Sequence, residues 1–468
     1  MHKIEALSNV KLPLDPDWLS ADTLDDQSRK CCWAYNYLNE VAHGLRQDFV
    51  QTGKAESAKT LYSRRGLRNL LPEIKARHPF LKTVHSSPLK NTALRLSDAV
   101  GAHQKSKKGK RKGKLVEWPR FHSWKKNWFS LLYDEPGKGF KVEKDLLTIS
   151  LGTGEDGKRR YVTIPIKGVQ ALKGKEIRTL RITKELDVYY AVFTVRASVP
   201  ERKQLKRVLA LDPNHKNFAY GVDTEGRGIE IKAPSWLKKF DHRVDELRSM
   251  RDRCCRKSQK IEVLDQEGKP TGKTYWNPSK GWEKRNKTLN RALQKRRDQT
   301  KTFLFTLANS VCAEYDLIGI GDYAPHGGGI TTKMRRAMNN RSLIGRFKPT
   351  LSWVALKSGK LALKYDETGT TRTCYPCGYI KEGGIHPSIR HWRCPSCSSE
   401  NDRDENAAKH GLQCTFEALC TTGEANAFPV PGSGLFQVTE RWAWRVLPSG
   451  VVKIRRGKNS DLIAAPGN

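Results

Sequence analysis

Residues 374–411 read CYPCGYIKEGGIHPSIRHWRCPSCSSENDRDENAAKHG, and this stretch decides how the chain is organised. Two C-x-x-C pairs, Cys374 with Cys377 and Cys394 with Cys397, stand sixteen residues apart. Each pair makes a knuckle that turns two thiolates toward one point, and two knuckles complete a tetrahedral sulfur site for one Zn²⁺. All four ligands are thiolates, which leaves no position for water, so the metal such a site holds is structural rather than catalytic. Asp404 follows at once, with Asn406, Ala407 and Ala408 behind it. An acid at a helix start suits the positive end of the helix dipole, and the small residues let the helix lie close on a sheet.

Working upstream, LALKYDE (361–367), LIGIGDY (317–323) and VLALDPNH (208–215) read as strands, the last a buried apolar run that carries Asp212. By itself Asp212 reads equally as a turn-initiating acid before Pro213. Between these strands lie two basic helices, 235–258 and 282–312. The first places Trp236, Phe240, Val244 and Leu247 on one face, and the second ends in Phe303, Leu304, Leu307, Ala308 and Val311. The Gly327-Gly328-Gly329 run after LIGIGDY reads as a mobile loop with the character of a lid. Toward the far end, WAWRVLPSGVVKIRR reads as a hairpin or a strand-like arm.

The first half has a different texture. Residues 17–100 repeat apolar positions at helical spacing, with Trp33, Tyr37, Leu38, Val41, Leu45 and Phe49 on one face. A lysine-rich run, KSKKGKRKGK (105–114), reads as a solvated loop able to settle on phosphate. After it, Trp118 to Phe129 interleaves aromatics with cations, a pattern suited to stacking and backbone contact. From 139 to 197, LLTISLG, RYVTIPI, IRTLRIT and VYYAVFTV give antiparallel strands of a barrel or curved sheet.

The 468 residues carry 86 Lys and Arg against 49 Asp and Glu, a net charge of +37. A chain with that excess repels itself unless a polyanion neutralises it, so nucleic acid is the expected partner. No run of 18 apolar residues and no leader after Met1 is visible, so neither a membrane partner nor export is expected, and the expected location is cytoplasmic. The remaining cysteines (Cys31, Cys32, Cys254, Cys255, Cys312, Cys414, Cys420) lack ligand spacing and read as buried or incidental thiols.

C-x-x-C, C-x-x-C and R-D-x-N-A-A within one short span resembles the TnpB family of RNA-guided nucleases from IS200/IS605-type transposons, and the compact type V CRISPR effectors related to it. The resemblance is close from Val208 to about Gly411 and looser upstream. It implies an α/β multidomain protein, in which an RNase H-like (RuvC) nuclease domain with an inserted Cys₄ zinc ribbon follows an antiparallel β-barrel wedge domain with a helical recognition insertion. The implied boundaries are 1–16 and 130–204 for the wedge, 17–129 for the recognition domain, 205–367 and 398–425 for the nuclease, 368–397 for the ribbon that binds target nucleic acid, and 426–468 for a C-terminal tail. It also implies a guide RNA (an omega RNA or a crRNA), a double-stranded DNA target, two catalytic Mg²⁺, one structural Zn²⁺ and a nucleoid-associated place in a prokaryotic cell. The protein itself is expected to read a short duplex motif beside the target, with Arg64, Arg65, Lys125 and Lys126 as contacts, although any single one of them reads better as an ordinary surface cation.

On the family pattern Asp212 is the first catalytic carboxylate and Asp404 the third. The second departs from it. Where the family has a Glu-Asp pair at the end of the second strand, this chain has Gly321-Asp322. Family members with Gly-Asp there resemble one another in carrying a glutamate just ahead of the ribbon, and Glu367 occupies that place. The favoured expectation is that Glu367 replaces the missing acid in binding Mg²⁺. Asp322 and Asp366 are weaker candidates, because strand alternation points them away. Two other readings stay open: a guided DNA-binding regulator that does not cut, and a protein-only transposase or resolvase that chooses targets without RNA.

Overall fold

The computed structural model describes residues 5–457, apart from 112, 114, 125–127, 155, 202–204, 215–216, 265–267, 323–342, 387 and 423–435. Lys125, Lys126 and the Gly327–Gly329 loop therefore lie outside the described residues. The chain forms two compact units, Met1–Ser198 and Val199–Asn468.

In the first unit, β1 (Glu5–Pro13), β2 (Leu131–Tyr133), β6 (Glu176–Glu185) and β7 (Val188–Ser198) form an antiparallel sheet in the order β1-β7-β6-β2. A second antiparallel sheet is the meander β3 (Phe140–Glu143), β4 (Leu146–Thr153) and β5 (Arg159–Pro165). A bridge between Leu14 and Ile166 links them. Alternate residues face a shared interior: Leu147 and Ile149 of β4, Leu180 and Ile182 of β6, and Phe193 and Val195 of β7 are buried in one cluster.

Between β1 and β2 the chain runs through α1 (Trp18–Thr52), α2 (Ala55–Tyr62), α3 (Gly66–Asn69), α4 (Leu71–Arg77) and α5 (Ser86–Lys107). α1 starts where the Asp17 carboxylate accepts from Ser20 N (2.7 Å) and stops at Gly53, whose φ of 68° is open to glycine. Its buried stripe is Leu24, Cys31, Tyr35, Leu38 and Ala42. The aromatic face expected from the sequence is rotated off that stripe: Trp33 and Tyr37 are half-buried, stack on each other and meet His78 edge-on. The Trp118–Phe129 segment also departs from its expected role. Asn39 and Asn36 of α1 donate to the Pro119 and His122 carbonyls, and Trp118, Trp128 and Phe129 pack against the core. Phe121 and Trp124 stay exposed. The aromatics there mostly anchor a strap to α1.

The second unit is built on a seven-stranded sheet of order β14-β13-β8-β9-β10-β17-β18. Its members are β8 (Val208–Pro213), β9 (Ala219–Asp223), β10 (Arg227–Ile231), β13 (Leu317–Gly321), β14 (Leu361–Tyr365), β17 (Glu440–Leu447) and β18 (Gly450–Arg455). β8, β9 and β10 run antiparallel, while β13 lies parallel to both β8 and β14. β8 and β13 are buried throughout, as central strands covered on both faces must be. Residues 426–468, set apart above as a tail, include β17 and β18; β17 pairs with β10, because burying Trp444 (1% exposed) in the sheet core outweighs leaving the hairpin free.

One face of the sheet is covered by α7 (Lys280–Glu314) and α8 (Ile344–Lys357), where Leu209, Leu211, Ile318 and Ile320 meet Phe303, Leu307, Phe347 and Leu351. α6 (Trp236–Arg253) pairs with α7 through Val244, Leu247 and Leu289, and between them runs the two-stranded arm β11 (Gln259–Leu264) and β12 (Pro270–Asn277). The other face is covered by α9 (Arg403–Thr421), where Val208, Ala210, Leu317 and Tyr365 meet Ala408, Leu412 and Phe416. The long basic helices thus lie across the sheet from α9. Among the described residues no helix is long and apolar enough to cross a membrane.

α9 sits close where a glycine stands at the contact, Gly411 against Tyr365 and Gly319 of β13 against Thr415. A Cβ on Gly411 would come within 2.6 Å of Tyr365 Cζ, and one on Gly319 within 2.8 Å of Thr415 Cβ. Gly411→Ala is therefore expected to cost about 1–3 kcal/mol in urea unfolding. Gly101→Ala in α5, whose added Cβ meets nothing within 4 Å, is expected to leave stability unchanged or slightly raised.

Candidate active site and metal centre

Strand alternation determines which side chains share a face. On β8, Val208 and Ala210 point to α9, so Asp212 points there too. On β13, Leu317, Gly319 and Gly321 take that side while Ile318 and Ile320 take the other. On β14, Leu361, Leu363 and Tyr365 face α9, and Glu367 follows two residues beyond Tyr365, which pairs with Gly321. Asp212, position 321 and Glu367 therefore converge on the start of α9, where Asp404 sits in the first turn.

Asp212 is 7% exposed, and burial pushes its carboxyl well above the usual carboxylate range. The nearby charges of Glu367 and then Asp404 raise it further, and Arg403 opposes them. Such like-charge crowding with burial is costly unless a cation compensates it. A Cβ built on Gly321 would overlap Glu367 Oε2 and lie 3.2 Å from Glu367 Cδ. The Glu367 carboxylate thus fills the space where a side chain at 321 would begin. Asp322 and Asp366 are both exposed, as alternation required. Lys348 of α8 is buried near Glu367 and Asp322; burial lowers its pKa and those two acids hold it up.

Glu367 is positioned from its backbone. Its carbonyl accepts from Thr370 N (3.2 Å) and Thr370 Oγ1 (2.9 Å), closing a turn after β14. Asn406 of α9 clamps the next segment, donating to the Thr370 and Thr373 carbonyls and accepting from Tyr375 N. The asparagine of R-D-x-N-A-A is thus a splice between α9 and the strap that joins Glu367 to the first cysteine. Its sequence position hinted at importance, but only the fold shows the partners. Tyr365 OH donates to Leu211 O (2.8 Å) and ties β14 to β8.

α9 begins at Asp402, whose carboxylate accepts from Glu405 N (2.8 Å). Asp404 is held by Arg390, whose Nη1 donates to Oδ1 (2.8 Å) and Oδ2 (3.1 Å). Sequence reasoning did not single out Arg390. Glu405 is a structural acid: buried, it pairs with Lys409 (2.8 Å) and Arg441 (3.0 Å). Arg64 and Arg65, expected at a nucleic-acid contact, lie exposed in the turn before α3, in the other unit.

The four cysteines come together. Their sulfurs all lie within 4.8 Å of one another, with Cys374–Cys397 and Cys377–Cys394 both at 3.7 Å. A tetrahedron with bonds of ~2.3 Å has edges of about 3.8 Å, so the spacing fits a zinc ion. The two knuckles repeat one backbone pattern: Gly378 N and Ser398 N donate to the Cys374 and Cys394 carbonyls, and both residues have positive φ, 74° and 59°. The short pair β15 (His391–Arg393) and β16 (Glu400–Asp402) joins the second knuckle to α9. Among the described residues this is the one group of three or more Cys, His, Asp or Glu ligand atoms drawn that close. The three carboxylates sense one another but do not converge to that radius.

Asp212→Asn is expected to raise the melting temperature of zinc-loaded, Mg²⁺-free protein by a few degrees at neutral pH. Asp212 holds its proton more tightly folded than unfolded. Its contribution therefore favours the fold below the ordinary carboxylate range and is lost as pH rises through the raised value. Differential scanning calorimetry at pH 7 and pH 4 checks this; an unchanged melting temperature at pH 7 would contradict the crowding.

Residues 345–410, which span α8, Glu367, all four cysteines and Asp404, match the domain family described as Cas12f1-like, TNB domain. TnpB-like proteins L79 and L770 of Acanthamoeba polyphaga mimivirus are each 31% identical over 140 residues, 28% of this chain. Over that stretch the chain is similar to these TnpB-like proteins. Its match spans 26% of the length of those relatives. The fold is also similar to the Cas12f1 structure solved as a Cas12f1-sgRNA-target DNA complex, with a TM-score of 0.55, 9% identity, and coverage of 85% of this chain and 83% of that one.

Proposed function

We propose that this chain is an RNA-guided DNA endonuclease that cuts guide-matched DNA beside a short motif read by the protein. The observation that carries the reading is the Glu367 carboxylate lying where a side chain at Gly321 would start, on the same face as Asp212 and Asp404. A carboxylate on the first strand, one beside the end of the second and one on a helix across the same face is the disposition an RNase H-like nuclease needs. The donor set fits Mg²⁺, a hard cation that takes oxygen ligands, and Asp212, Glu367 and Asp404 are the residues that would hold the ions. Bound there, the ions would activate the attacking water and stabilise the leaving oxygen. Asp212 and Glu367 would hold the ions from the sheet, and Asp404 from the helix.

The remaining assignments follow the same reading. Zn²⁺ on Cys374, Cys377, Cys394 and Cys397 stiffens a ribbon that bears on target nucleic acid. The first unit, with its two sheets as wedge and α1–α5 as recognition insertion, grips duplex and guide, with Arg64 and Arg65 among its contacts. Support comes from the net charge of +37 and from the RNA and DNA in the structurally similar Cas12f1 complex. Guided binding without cleavage is the second reading, favoured by the Arg390 pair that occupies Asp404.

The test is to purify the chain from cells carrying its flanking DNA, sequence the RNA that comes with it, and present a matching plasmid with Mg²⁺. Cleavage by wild type, lost in both Glu367→Ala and Asp404→Ala, bears the proposal out. Cutting retained by Glu367→Ala sinks the relocation, and tight guided binding with no cutting by wild type leaves the regulator. Target choice without any bound RNA would instead point to a protein-only recombinase.

A further inference from the structure

The ribbon does more in this geometry than hold a metal. Arg390 lies between the two cysteine knuckles, yet its guanidinium leaves the ribbon and pairs with both oxygens of Asp404. Its own carbonyl accepts from Arg403 N at 2.7 Å, so main chain and side chain together fasten this point of the ribbon to the first turn of α9. The pair is largely shielded, the Asp404 side chain being 14% exposed and that of Arg390 27%. A guanidinium keeps its charge at any physiological pH, so the pair is not broken by deprotonation of the arginine. The lone pairs it occupies are those a divalent ion would need. The carboxylates of Asp212, Glu367 and Asp404 are not drawn together, whereas the four sulfurs nearby are.

We propose that Arg390 is an internal counter-ion that holds Asp404 away from the catalytic metals, so that metal loading at the nuclease site requires the ribbon to release it. This rests on the nuclease reading above and adds a regulation to it. Linkage makes the device reciprocal: whatever draws Arg390 off Asp404 raises metal affinity, and metal binding in turn loosens the ribbon. A phosphodiester backbone arriving at the ribbon is such a competitor for the guanidinium. The site would then be poor in metal until nucleic acid is in place, which limits cutting without a target.

The experiment uses the full zinc-loaded chain with its co-purified RNA, and Mn²⁺ as the probe, with free Mn²⁺ followed by electron paramagnetic resonance. Arg390→Gln is expected to bind Mn²⁺ at least about fivefold more tightly than wild type. Arg390→Lys, which keeps the charge, is expected to stay near wild type, and Asp404→Asn to bind more weakly. Unchanged or weaker binding in Arg390→Gln, with Asp404→Asn weakened, overturns the counter-ion and leaves the nuclease assignment standing. Asp404→Asn binding as wild type does overturns both. Zinc content certifies each ribbon. Should Arg390→Gln lose zinc, hydrogen exchange of wild type decides: saturating Mn²⁺ is expected to lower protection in residues 378–393, and unchanged protection overturns the proposal.

Discussion

Gly321→Ala is expected to lower guided DNA cleavage by at least about a hundredfold while leaving RNA binding untouched. A single methyl group is a small change, and its size is why the test is sharp. The new Cβ would overlap Glu367 Oε2, with Glu367 Cδ and Pro213 Cδ both at 3.2 Å, so the carboxylate is what must give way. β8 and β13 are buried throughout and hydrogen-bonded on both sides, and so cannot yield instead. A ligand displaced by about an ångström no longer meets a metal held by the other acids, and misplacement on that scale is what costs rate. The exchange Gly321→Glu with Glu367→Gly moves the acid back to the second strand and removes the clash. It is expected to recover part of the activity that either substitution alone destroys. Plasmid cleavage with the co-purified RNA reads both. Normal cutting by Gly321→Ala would mean that Glu367 is not the second metal-binding acid.

The second large effect concerns zinc. Elemental analysis is expected to find one zinc per chain, and Cys394→Ser to find none. Among the described residues, Cys374 and Cys394 are buried in a core that otherwise contains only Ile385 and Trp392, too small to hold a fold unaided. Structural zinc in small domains of this kind supplies about 10–16 kcal/mol of apparent binding free energy, so its loss is expected to melt the ribbon outright. The damage should not stay local. Asn406 holds the strap between Glu367 and Cys374, and Arg390 and β16 reach α9 from the other knuckle, so Asp404 and Glu367 lose their fixed separation when the ribbon melts. Cleavage in Cys394→Ser is expected to fall at least about a hundredfold, with an added low-temperature melting step in calorimetry. Zinc-free protein that cuts as well as wild type would refute the coupling.

The sequence by itself determined a great deal here, because several signals are local. Cys374, Cys377, Cys394 and Cys397 needed only their spacing, since a knuckle is made by neighbouring residues and two knuckles suffice for a tetrahedron. That Asp322 and Asp366 are exposed needed only the period of a strand. What the sequence could not state was where Glu367 points: a glutamate beyond a strand end has the same local pattern whether it reaches a metal or water. That was decided by the parallel pairing of β13 with β14, which sets Gly321 opposite Tyr365 and leaves a gap of one side chain for the acid two residues on. Arg390 and Asn406 belong to the same class, as do Trp118 and His122, which are held by Asn39 and Asn36 of α1. Their partners come from other elements, and contacts made across a fold leave no periodicity in the chain to be read.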